Sequence, residues 1–98
     1  MDTAVRTLAV GTEAPQPLSD LHPGTTATIV AVGSATEAVT PLELRLLELG
    51  FIAGERIEVV AEARPGRDPF VVRVGATQFA LRRREARNIW VENAVASR

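Results

Sequence analysis

The chain has 98 residues and a formal net charge of −1, which allows one domain with a modest core. It holds no cysteine and a single histidine, so a disulfide scaffold and a cysteine metal site are excluded. No stretch nears the run of about 18 apolar residues that a membrane span needs, and the N-terminus lacks the apolar core of a secretory signal, so a cytoplasmic protein without membrane insertion is expected. The near-neutral total hides an asymmetry. Residues 1–63 carry nine acidic residues and three arginines, whereas residues 64–98 carry eight arginines and three acidic residues. Every basic residue is arginine, the side chain best suited to bidentate contacts with carboxylate or phosphate.

Residues 1–17 read as a loosely ordered lead, ending in the polar, proline-rich "TEAPQP". Within it, residues 5–10 can add an edge strand where a partner surface is offered. Leu18 and Leu21 lie three apart, the spacing of one short turn that tucks both inward. Pro23-Gly24 signals a turn. The β-branched run "TATIVAV" then predicts a strand, with Ala27, Ile29 and Ala31 on one side and Thr28, Val30 and Val32 on the other. "GSATEAV" is a connector.

"TPLELRLLELG" carries the signals of a helix over residues 41–49. Thr40 suits the N-cap, Pro41 the first helical position and Glu43 the third, while Gly50 suits a left-handed C-terminal cap. Leu42, Leu46 and Leu49 form an apolar stripe that Leu44 and Leu47 widen, and Glu43, Arg45 and Glu48 are expected in water. Phe51 follows the cap at once and is placed to fold back on the last turn. Ala53-Gly54 makes a further turn into a strand around Ile57 and Val59. "EARPGRDPF" is a compact loop in which Pro65-Gly66 suits a type II turn, Asp68 can bond backbone and Pro69 resumes an extended path. "FVVRVG" and "TQFAL" read as a hairpin across Gly75-Ala76. "RRREARN" can make one helical turn, "IWVEN" a last strand, and the tail at 94–98 is expected to fray. The domain therefore spans residues 18–93. About five short strands with one inserted helix suit a small, closed, mainly antiparallel barrel.

Three blocks in this order resemble the bacterial ferrous iron transport protein A (FeoA) family. They are the helix–glycine–turn–glycine–strand block at 45–60, the Pro65, Gly66, Asp68, Pro69 loop before a strand, and Ala80, Leu81, Arg82 and Ala86 before Ile89 and Val91. The resemblance covers residues 18–91. It implies an SH3-like barrel and a cytoplasmic accessory that binds the membrane ferrous iron permease with its GTP-binding domain, regulating it or helping assemble it. The same fold is similar to the C-terminal domain of iron-dependent repressors. The alternative is therefore an SH3-like adaptor or regulatory module acting on a metal-responsive repressor, and a small nucleic acid binder ranks third. The lead and the apolar bulk of "VGSATEAVTPLELR" depart from the simplest family pattern.

The residues that bear on a partner fall into two groups. Arg82, Arg83, Arg84 and Arg87 form the most positive cluster, which reads either as a solvated turn or as a dock for an acidic partner surface. Nucleic acid binding is disfavoured by the near-neutral charge and the lack of a recognition helix or stacking aromatic pair. Leu44 and Leu47 exceed what one helix face needs, so with Phe51 they form a candidate apolar contact patch, for the partner or for a second copy. Gly24, Gly50, Gly54 and the Pro65, Gly66, Asp68, Pro69 loop read as structural turns. Trp90 should point away from Ile89 and Val91 and is expected to pack. His22, with Asp20 nearby, falls short of the three or four ligands of a stable metal site, so no metal or cofactor is expected. No nucleophile and base, and no carboxylate pair held in unlike environments, stand out, so no enzyme activity is expected.

Overall fold

The computed structural model describes residues 14–33, 39–63 and 65–96. The suggested strand at residues 5–10 and most of the "GSATEAV" connector lie outside the described residues. Six strands form one antiparallel sheet. They are β1 (Gln16–Pro17), β2 (Thr25–Val32), β3 (Arg56–Glu62), β4 (Phe70–Val74), β5 (Thr77–Leu81) and β6 (Ile89–Ala96). Their order is β1-β6-β2-β3-β4-β5. A short 3-10 turn at Leu18–Asp20 follows β1, helix α1 (Pro41–Leu49) joins β2 to β3, and the single-turn helix α2 (Arg83–Ala86) joins β5 to β6.

Two expectations need correction. The end of the lead is ordered, since Gln16 and Pro17 pair with Val91 and Trp90 and add a sixth strand. The tail does not fray at residue 94. β6 continues to Ala96, where it meets Thr25 across the sheet, because β2 offers an unpaired edge that the longer strand satisfies. Among the described residues no strand pairing closes the barrel, since the strand order runs from β1 on one side to β5 on the other. The sheet curls instead, and one core gathers residues from its strands, both helices and the 3-10 turn.

The curl has local causes. Val30 is an extra residue in β2 between the Ile29–Val91 and Ala31–Trp90 pairs. Each such bulge bends its strand and flips the alternation beyond it. Ala31 is therefore exposed, against the expected face, while Val32 packs on the core. A second bulge sets Asn93 and Ala94 of β6 against Ala27, with Asn93 at φ 58°. Asparagine tolerates that left-handed conformation better than most residues. A third inserts Val60 between the Val59–Val72 and Ala61–Val71 pairs.

Helix α1 forms as its ends dictate. Thr40 Oγ1 accepts from the Glu43 N–H at 3.2 Å, and Pro41 occupies the first turn. Gly50 closes the helix at φ 112°, where a side chain would be strained. Its N–H donates to Leu47 O at 3.0 Å, and the Phe51 N–H donates to Leu46 O at 3.1 Å, the paired bonds of a Schellman cap. The chain then ties itself to β2 through Gly54 N–H to Ile29 O (2.7 Å) and Ile29 N–H to Glu55 O (2.9 Å). This explains the dense run of glycines between helix and strand: the cap and the turn together hold α1 to the sheet. Thr40→Ala is expected to lower stability by about 1 kcal/mol, read as a lower urea midpoint with an unchanged m-value.

Two helix positions depart from the expected faces. Glu43 is buried, because its carboxylate packs on Gly33, where an added Cβ would lie 2.8 Å from the carboxyl carbon. Leu49 is 41% exposed. Leu46 points straight into the core, and a residue three further on is turned about 60° off that direction.

Candidate functional site

Two concave surfaces meet where β5 runs into α2. One is a groove of about 170 Å³ between α1 and β5. Leu42, Leu46 and Leu49 line one wall and Phe79, Ala80 and Leu81 the other, with Arg45 and Glu85 at the rim. The other is an open recess of about 410 Å³ formed by Asp68, Arg82, Arg83, Arg84 and Arg87. All four arginines singled out in the sequence thus come together, with the loop aspartate among them.

The recess is held by backbone bonds to two carboxylates. Asp68 Oδ1 accepts from the Arg83 N–H at 2.9 Å, and Glu85 Oε1 accepts from the Arg82 N–H at 2.8 Å. The expected Asp68–backbone bond therefore exists, but it reaches across to α2 and orients the arginine turn. Arg83 is half-buried, with its guanidinium 5.9 Å from the centre of the Phe70 ring. Arg67, which sequence reading passed over, sits 5.4 Å from the same ring centre. It also donates to Glu62 Oε1 (2.8 Å) and Leu21 O (2.7 Å), clamping the loop to the 3-10 turn. Arg82, Arg84 and Arg87 remain exposed, and Arg82 reaches Asp68 only at 3.8 Å. Among the described residues the recess thus offers three exposed guanidinium groups on a fixed backbone, that of Arg82 paired loosely with Asp68 and those of Arg84 and Arg87 without a carboxylate partner.

The apolar candidates separate. Leu44 and Leu47 are exposed, at 51% and 42%, on the flank of α1 away from the groove. Phe51 does not join them. It is fully buried, its ring centre 5.0 Å from that of Phe79, because the glycine cap turns it under the helix. Its assignment to a contact patch is therefore withdrawn. Sequence reading missed the groove itself. Leu49 reads from sequence as part of the apolar stripe of α1, and only the packing of α1 beside β5 shows that it and Phe79 stay partly open.

The turn residues are placed as turns. Gly24, Gly54 and Gly66 take φ of 90°, 95° and 90°. Pro65 is exposed, and Pro69 follows Asp68 through a cis peptide bond. Trp90 is half-buried opposite Pro17 and donates from Nε1 to Gly33 O at 2.9 Å. His22 and Asp20 are exposed, and among the described residues no three His, Cys, Asp or Glu side chains gather as metal ligands. A depression of about 440 Å³ is lined by Thr26, Arg56, Glu58, Arg73 and Gly75, and Arg73 pairs with Glu58 there. Among the described residues no helix is long and apolar enough to cross a membrane.

A small curled antiparallel sheet with one helix inserted after its long second strand defines an SH3-like domain. The FeoA domain profile matches residues 16–93. A fusion protein of Fe(2+) transport protein A with the Fe(2+) transporter FeoB, from Porphyromonas gingivalis, is 41% identical over 75 residues. That match covers 76% of this chain but only 8% of the relative's length. The crystal structure of Stenotrophomonas maltophilia FeoA complexed with zinc, described as a prokaryotic SH3 domain protein, superposes with a TM-score of 0.75 at 35% identity, covering 85% of this chain and 99% of that one. Iron(II) transport protein A from Clostridium thermocellum gives a TM-score of 0.67 at 40% identity, covering 79% of this chain and 44% of that one. The chain belongs to the FeoA family.

Proposed function

We propose that this chain is a cytoplasmic accessory of ferrous iron transport that binds an FeoB-type permease, regulating it or helping it assemble, and acts by contact rather than catalysis. The observation that carries this reading is the relative in which an FeoA unit and an FeoB transporter share one polypeptide. Fusion raises the effective concentration of two units for each other, which matters only if they work together. The arginine recess beside an apolar groove supports the same reading. It offers charge for steering and orientation next to apolar area for affinity.

The test is binding of the full chain to the full-length permease of its own organism in detergent, followed by calorimetry. It is run with GDP, with a non-hydrolysable GTP analogue and without nucleotide. Saturable binding is expected, and preference for one nucleotide state would favour regulation over assembly. No binding in any state overturns the proposal.

A further inference from the structure

We propose that the outer edge of β5 takes up an extended acidic peptide of the permease's cytosolic portion as an added antiparallel strand, seated in the groove against α1. The inference rests on the permease reading above and specifies its mode.

Four observations support it. First, β5 ends the sheet, and among the described residues no strand pairs on its outer side. Val74 and Thr77 close a two-residue hairpin whose first turn residue, Gly75, has φ 61°. Such a closing pair exchanges both backbone bonds, so every second residue faces away from β4. Gln78 and Ala80 therefore present their N–H and C=O groups to the open edge. An edge left bare in this way is a template for strand addition.

Second, the edge is flanked by an apolar slot. Leu42 and Leu49 of α1 face Phe79 and Ala80 across the groove, which has room for one anchor side chain. Third, the charge beyond the slot is one-sided. Groove and recess together hold five arginines against Asp68 and Glu85, and both carboxylates are already bonded to backbone N–H groups. The occupant that complements this surface is acidic. Fourth, the geometry sets its polarity. A strand antiparallel to β5 has its N-terminal end beside Leu81 and Arg82, so acidic residues should precede the apolar anchor.

The test uses the full chain labelled with ¹⁵N, synthetic peptides that tile the cytosolic segments of the permease, and the full-length permease in detergent. A peptide with acidic residues before an apolar anchor is expected to shift the Gln78 and Ala80 amides and slow their hydrogen exchange. Gln78→Pro removes one outward N–H at a position where an edge strand tolerates proline, and should weaken binding about tenfold. Leu49→Ser and Arg84→Glu, both at exposed sites, should each weaken it to a similar degree, and the peptide should compete with the permease. Three results overturn the inference: permease binding that leaves the β5 amides unperturbed, binding indifferent to Gln78→Pro and Leu49→Ser, or equal binding of a peptide with the same composition in reversed order. In each of these the permease reading stands. If the full-length permease itself does not bind, that reading fails and the inference fails with it.

Discussion

Phe51→Ala is expected to destabilise the domain by about 3–5 kcal/mol, much of the total stability of a chain this size. The ring is fully buried in the core and packs against the half-buried Phe79. Truncation leaves a cavity beneath the exact point where α1 is fastened, since the Phe51 N–H also caps the helix through Leu46 O. The loss therefore reaches two elements, the helix C-terminus and the β4–β5 face. Urea unfolding checks the size of the effect, and helix loss should accompany it in circular dichroism. Leu44→Ala and Leu47→Ala on the exposed flank serve as controls and should each change stability by about 0.5 kcal/mol or less. If Leu47→Ala matched Phe51→Ala, the assignment of core and surface on α1 would be wrong.

The second large effect concerns the recess. Arg82→Glu, Arg84→Glu and Arg87→Glu together are expected to weaken permease binding about a hundredfold or more, since each reversal replaces attraction with repulsion. The folded state should change little, because these three side chains are exposed and the backbone bonds that shape α2 come from Asp68 and Glu85. Arg83 is left intact because its guanidinium lies over Phe70. Two measurements check this: association kinetics at low and high salt, and a melting curve for each variant. The wild-type on-rate should fall with salt and the variant's should not. Salt-independent binding by the wild type, or a variant that binds as well as the wild type, would remove the recess from the interface.

Much of this fold is written locally. Thr40, Pro41, Glu43 and Gly50 fix the two ends of α1 through backbone geometry and short-range bonds, so its boundaries follow from sequence. Gly75 sets the β4–β5 hairpin in the same way, and the Leu18–Leu21 spacing sets the short turn whose two leucines are buried. The ordered blocks of residues also place the chain in its family, because spacing between capped elements constrains which folds can close.

The site was legible only in part. Four neighbouring arginines are visible in any sequence, and α2 gathers them because adjacent positions cannot move far apart. Whether a side chain faces solvent is another matter, since that depends on what lies across from it. Leu49 and Phe79 line an open groove, and Phe51 lies beneath it, only because α1 packs beside β5. Glu43 is buried because Gly33, ten residues away in the chain, has no side chain to keep it out. That no described strand pairs on the outer side of β5 likewise depends on strand order, a long-range property that periodicity does not encode. Sequence alone determined the central strands, α1 with its caps, and the family, but not β1 or the full length of β6. The tertiary structure decided which apolar residues remain open, which charges are spent on the fold, and which edge is left for a partner, because each of those depends on residues brought together from distant parts of the chain.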